Sequence, residues 1–142
     1  MNENKMELCF LAISQNEAFA RVAVAAFATQ LNPTVAEITE IKTAVSEAVT
    51  NAIIHGYEGM DGTKQIVSLK CYISGKKIAI EIADSGMGIT DISQAREPLY
   101  TSKPEMERSG MGFTVMEEFM DDIEVVSQIG SGTTIKLYKT LN

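Results

Sequence analysis

The sequence predicts an α/β (α+β) fold built from two kinds of layer, and three stretches of it make that prediction. From Thr34 to Gly56 apolar residues recur at helical spacing, leaving one greasy stripe. From Val67 to Asp84 two runs alternate apolar and polar residues about a Ser74-Gly75 turn, as half-buried strands do. A second such pair spans residues 123–129 and 133–139 around Gly130-Ser131-Gly132. Helices with one apolar stripe and strands with one apolar face bury both by stacking, so a sandwich of two layers accommodates all of them.

At 142 residues the chain is expected to form one domain, 1–142, with a core that needs no staples. Hydrophobic residues make up 45% and charged residues 22%, which excludes a disordered chain. A net charge of −7 argues against nonspecific contact with nucleic acid or an anionic membrane. The start, MNENKMELCF, has no signal-peptide pattern, and no apolar run is long enough to span a bilayer, so a cytoplasmic protein is expected. Cys9 and Cys71 lie in strand-like segments without metal-ligand spacing and read as two buried free thiols. The eight Met read as core filler.

In chain order, residues 6–13 form the first expected strand, and Ser14 to Asn16 supply capping residues for a helix from Glu17 to about Leu31. That helix is apolar on nearly every side, which predicts packing on both faces. Arg21 is its one cation: either a snorkelling side chain or an anchor in a protein interface, where Arg is enriched. Asn32-Pro33-Thr34 punctuates the chain, and Thr34 with Glu37 has the form of a capping box.

The next helix carries the chemistry. Glu47, Asn51 and His55 are spaced by four, on the flank away from the apolar stripe. A carboxylate, a carboxamide and an imidazole offer the hard oxygen ligands and proton acceptors of a magnesium–phosphate site; an exposed polar face is the bland alternative. Gly56 is expected to stop the helix.

In the strand that follows the hairpin, Ile78, Ile80 and Ile82 share a parity whose next member is Asp84. A carboxylate on a buried parity needs a donor, and none is implied locally. Gly86 and Gly88 let the backbone approach a ligand, or simply end the strand in a turn. Residues 90–108 lose all periodicity and read as a polar lid or binding loop, with a short helix near Ile92–Arg96. Gly110-Met111-Gly112 opens a helix whose buried side is Phe113, Met116, Phe119, Met120 and Ile123. A glycine pair at a helix N-terminus suits an anion, with Lys103 and Arg108 nearby as cations. In the last strand Thr133 shares the inward parity of Ile135 and Leu137, a hydroxyl available to whatever Asp84 binds.

In this order, Glu-x-x-x-Asn-x-x-x-His on a helix, Asp-x-Gly-x-Gly after a strand, a polar lid, Gly-x-Gly before a helix and Gly-Thr-Thr entering a strand, the motifs resemble the GHKL superfamily of ATP-binding domains. The resemblance runs from about residue 34 to 139. It implies a two-layer sandwich in which helices cover one face of a mixed sheet, with ATP held between the helices. The phrases SEAVTNAIIHGY and PLYTSKPEMERSGMGF, with the apolar first helix, resemble the anti-sigma serine kinases of spore-forming bacteria over essentially the whole chain.

That branch implies a homodimeric, ATP-dependent serine/threonine kinase and anti-sigma factor, a regulator of transcription. It binds and inhibits a sporulation sigma factor of the sigma F type and phosphorylates a serine of an anti-anti-sigma protein. By motif, Asn51 holds Mg2+ that bridges the ATP phosphates, and Asp84 accepts from the adenine amino group. Gly86 and Gly88 pass beside the base, and Thr133 bonds near it. His55 lies in the ATP site, and Thr101, Lys103, Arg108, Gly110, Met111 and Gly112 wrap the phosphates. Glu47 takes the proton of the attacking hydroxyl, and Arg21 meets the sigma factor. A different class of protein, a nucleotide-gated sigma binder without phosphotransfer, is the alternative; it has no need of a carboxylate at Glu47.

Overall fold

The computed structural model describes residues 3–89, 96 and 112–142. The chain runs through β1 (Glu3–Leu11), α1 (Gln15–Ala28), α2 (Val35–Thr50), β2 (Ile66–Ser74), β3 (Lys77–Asp84), α3 (Gly112–Phe119), β4 (Asp122–Gln128) and β5 (Gly132–Thr140). The strands form one sheet in the order β1-β2-β3-β5-β4. The two-layer α/β class holds, with one correction: among the described residues every neighbouring pair of strands is antiparallel, in place of the expected mixed sheet. Tight hairpins force this for β2–β3 and β4–β5, and the two helices between β1 and β2 return the chain in the opposite sense.

Strand parity decides which face the helices cover. Val67, Leu69, Cys71 and Ile73 of β2 and Ile78, Ile80 and Ile82 of β3 are each at most 1% exposed. Each such isoleucine contributes about 1.5–3 kcal/mol by leaving water. The opposite parity carries paired surface charges, Lys70 with Glu7 and Lys136 with Glu81. α2 lies between α1 and α3 on the apolar face, burying Ile41, Val45 and Val49. Lys139 fastens the far end of α3: its ammonium donates to Phe119 O at 2.6 Å and stands 3.4 Å from Glu40 of α2.

Several local expectations shift. β1 starts at Glu3 and ends at Leu11, and α1 begins at Gln15 with no side-chain cap from Ser14. Instead the Asn16 side-chain amide donates to Leu11 O at 3.0 Å. The segment to Leu31 finishes as a tight turn, closed by Asn32 at φ +52°. Cys71 is buried, and desolvation pushes its thiol up to about 12, but Cys9 is exposed because its parity faces away from the helices. Met116 and Met120 fill the core as expected, whereas Met60 and Met87 are exposed.

The expected capping box is present. Thr34 Oγ1 accepts from Glu37 N–H at 3.0 Å, and Glu37 Oε1 accepts from Thr34 N–H at 2.9 Å. The other oxygen of Glu37 accepts from Asn142 N–H at 3.0 Å, tying the C-terminus to the start of α2. The Thr34 backbone N–H, then that of Asn142, holds the Glu37 carboxyl below its ordinary range. A lowered carboxyl pKa stabilises the fold above the unfolded value, and that contribution fades as the pH falls through the lowered one. Thr34→Ala removes the side-chain cap and should destabilise the protein by about 0.5–2 kcal/mol. Thermal or urea unfolding measures this, and an unchanged midpoint would show that the cap is idle.

Candidate functional site

The helix that carries Glu47 and Asn51 changes character where the chemistry begins. α2 is regular to Thr50, and Asn51–Gly56 then continues as a π-helix, with Tyr57 N–H donating to Ala52 O at 3.2 Å. Glu47 and Asn51 keep the four-residue spacing that stacks them on one face, because Asn51 still has helical dihedrals. The wider turn winds His55 back from the line a continuous α-helix would give it. All three side chains are half-buried.

Gly56 ends the helical segment as expected, for a different reason than a left-handed cap. A Cβ on Gly56 would stand 2.5 Å from the carboxylate of Asp84. Helix and strand end thus meet at a point where only a glycine fits, and its carbonyl accepts from Met87 N–H at 2.9 Å.

Asp84 ends β3 on the inward parity and is 7% exposed. Its Oδ1 accepts from Gly86 N–H at 2.9 Å. Burial raises its pKa, opposed in part by the backbone N–H groups of Gly86 and Thr133. The register pairs Asp84 with Thr133 of β5, and Thr133 with Ser127 of β4. A carboxylate and two hydroxyls therefore form one row across three strands, at the same end of the sheet. The hydroxyls of Thr133 and Ser127 are 2.8 Å apart. Such a row presents a strong acceptor beside groups that both donate and accept, which suits the polar edge of a heterocycle.

Gly86 is buried against Gly56, and Gly88 takes φ +81° at a point where a Cβ would stand 2.5 Å from Gln128 O. Gly112 begins α3 with its face toward Glu47: a Cβ there would lie 3.1 Å from Glu47 Oε2. The start of α3 and the carboxylate thus share one corner of the site. Thr101, Lys103, Arg108, Gly110 and Met111 lie outside the described residues, as does the short helix near Ile92 except Arg96. Arg96 forms an ion pair with Glu117 of α3. Arg21 is half-buried on α1 and stands 3.6 Å from Glu17. Phe19 and Val22 of the same helix are 56% and 57% exposed, so α1 does have a second apolar face.

Two residues at the site were missed in the sequence. Tyr57 is 3% exposed; its hydroxyl donates to Ile66 O at 2.6 Å and accepts from Ser85 N–H at 2.7 Å. Ser127 Oγ accepts from Ile89 N–H at 2.7 Å. Ser127 was findable, since it follows Ile123 and Val125 on the inward parity, the same signal that picks out Asp84 and Thr133. Tyr57 sits in an aperiodic turn and offers no such signal.

Among the described residues no three His, Cys, Asp or Glu side chains gather as metal ligands. A magnesium ion at Asn51 would take its remaining ligands from phosphates and water, as magnesium does in nucleotide sites. No described helix is long and apolar enough to cross a membrane.

Residues 12–139 match the model of a family described as histidine kinase-like ATPase domain. A Clostridium perfringens protein named anti-sigma F factor is 60% identical over 140 residues, covering 99% of either chain. One of the same name from Oceanobacillus iheyensis is 58% identical, covering 99% of this chain and 94% of its own. A crystal structure of the RsbU and RsbW domains of a Mycobacterium tuberculosis protein superposes with a TM-score of 0.70 at 18% identity. That likeness bears on the fold; it covers 97% of this chain and 32% of the larger one.

Proposed function

The chain belongs to the histidine kinase-like ATPase family and groups with the relatives named anti-sigma F factor, and from that premise we propose that it is an ATP-dependent serine protein kinase that also captures and silences a sigma factor. Family membership implies ATP binding. The kinase step, the magnesium ion, the sigma F-type factor, the anti-anti-sigma acceptor and the homodimer are parts of the proposal. So is the reading of residues 1–142 as one domain.

The observation that carries the nucleotide part is the buried Asp84 carboxylate in its row with Thr133 and Ser127. The backbone N–H groups of Gly86 and Thr133 offset part of the cost of burying this carboxylate, contrary to the expectation of no local donor. The exocyclic amine of adenine would be a further donor to its remaining acceptor capacity. Gly56 packs directly on the carboxylate and fixes its position, since a Cβ there would stand 2.5 Å from it. Thr133 accepts or donates beside it, directly or through a water.

The phosphate end lies toward α2 and the start of α3. Asn51 would hold magnesium through its neutral amide oxygen, and the ion would neutralise phosphate charge as the group transfers. Lys103, Arg108, Gly110 and Gly112 are assigned there on their sequence motif. Glu47 lies one helical turn before Asn51 and against Gly112; in this reading it would take the proton of a serine hydroxyl. Calorimetry with magnesium-ATP and with GTP tests the nucleotide assignment. Saturable binding that prefers ATP supports it, and no binding of either would refute it.

The second face of α1, with Phe19 and Val22 exposed, supports a role in assembly. Arg21 stands beside it and is assigned to the sigma factor. Arg21→Glu places a second carboxylate beside Glu17 and should weaken sigma capture about tenfold, with ATP affinity unchanged. Equal sigma affinity in the variant would leave Arg21 as a surface partner of Glu17 alone.

A further inference from the structure

The short loop from Ser85 to Ile89 leaves Asp84 and would run beside the base, yet its own sequence is glycine-rich and should be loose. It is held by four of its five backbone N–H groups. Ser85 N–H donates to Tyr57 Oη at 2.7 Å and Gly86 N–H to Asp84 Oδ1 at 2.9 Å. Met87 N–H donates to Gly56 O at 2.9 Å, and Ile89 N–H to Ser127 Oγ at 2.7 Å. Met87 O in turn accepts from Gly130 N–H at 2.9 Å. The two ends of the loop therefore hang on side-chain hydroxyls, one from the turn after α2 and one from β4.

Both hydroxyls are oriented by further bonds. Tyr57 Oη–H is spent on Ile66 O at 2.6 Å, so its lone pair is aimed at Ser85. Ser127 Oγ lies 2.8 Å from Thr133 Oγ1 and 3.2 Å from Gly132 O, so it joins the loop to the polar row that contains Asp84. A hydroxyl that accepts one backbone N–H and is itself locked by a second bond fixes geometry at little entropic cost.

We infer that Tyr57 and Ser127 are positioning residues for base recognition: their hydroxyls pin the two ends of the Ser85–Ile89 loop and hold the Asp84 carboxylate in line with Thr133. This inference rests on the adenine reading of the site. Neither side chain need touch the nucleotide. Removing either hydroxyl frees a loop end, so Asp84 samples orientations that cannot meet the base. Four of the five loop amides are committed within the protein, which favours the base end of the site over the phosphates for this loop.

The test uses Tyr57→Phe, Ser127→Ala and the conservative Ser127→Thr, each compared with the unaltered chain by calorimetry with ATP and GTP, and by amide hydrogen exchange. Tyr57→Phe and Ser127→Ala should each weaken ATP binding about tenfold, the scale of one lost hydrogen bond, and narrow the preference for ATP over GTP. Exchange at Ser85 should quicken in the first variant and at Ile89 in the second, while Ser127→Thr should restore both binding and protection. If the variants remain folded in thermal melts and bind and discriminate as the unaltered chain does, the inference is wrong. If their loss follows a lowered melting temperature with no change in ATP-to-GTP preference, the hydroxyls are merely structural and the inference also falls. Failure of the unaltered chain itself to bind ATP sinks the nucleotide reading first, so the two failures are separable.

Discussion

Glu47→Gln should lower phosphorylation of a serine acceptor by about 10²–10⁴-fold, the loss expected when a general base is removed. The substitution keeps size and hydrogen bonding, so ATP affinity and sigma capture should stay within about a few-fold of the starting protein. The geometry motivates the asymmetry. Glu47 stands one turn from Asn51 on the same helix face, with Gly112 at the start of α3 packed against its carboxylate. An ionised carboxylate near a triphosphate repels it, so the position is justified by proton chemistry or by metal held through water. Single-turnover transfer assays separate the step from binding, and a normal rate would reduce Glu47 to a structural role.

Asp84→Ala should weaken ATP binding by about 1.5–3 kcal/mol, the worth of a hydrogen bond to a charged group, or very roughly ten- to a hundredfold. It should also erase most of the preference for ATP over GTP. Stability should change much less, because the loss of an acceptor for Gly86 N–H is offset by removal of a desolvated acid. Burial raises the Asp84 pKa, so the fold favours the protonated acid. That contribution is present below the unfolded pKa and is lost as the pH rises through the raised folded one. The carboxylate is desolvated and only partly compensated by the N–H groups of Gly86 and Thr133, so Asp84→Asn, which keeps an acceptor for Gly86, should cost little stability while losing adenine selectivity. ATP affinity in the unaltered chain should fall as the pH drops through the raised pKa, because a protonated acid no longer accepts at full strength. An ATP affinity that ignores both the substitution and pH would remove Asp84 from base recognition.

Much of this was legible because parity and periodicity are written in the chain. Ile78, Ile80 and Ile82 announced the inward face of β3 and so exposed Asp84 as out of place, and Thr133 followed by the same rule. Thr34 and Glu37 gave the start of α2 to the residue. What escaped were features set by contact across the fold. Nothing local distinguishes an α-helix from the π-helical Asn51–Gly56, and the requirement for glycine at 56 arises only from the carboxylate it faces. Tyr57 is read as a turn residue until Ser85 and Ile66 are seen on either side of its hydroxyl. The two hairpins, β2–β3 and β4–β5, were visible in the sequence, whereas the expected mixed sheet came with the resemblance and the antiparallel pairings β1–β2 and β3–β5 are set by contact across the fold. Cys9 faces solvent because strand β1 is an edge strand with its alternate residues turned from the helices.

Transfer of the γ-phosphate bears most directly on the claim that this site is a serine kinase. The protein would be incubated with γ-labelled magnesium-ATP and an anti-anti-sigma protein, and the label followed by residue. The account predicts label on one serine of the acceptor, lost with Glu47→Gln and absent without magnesium. Tight ATP binding and sigma capture with no label on any serine or threonine would contradict it, and would leave a binding protein whose nucleotide only sets its conformation.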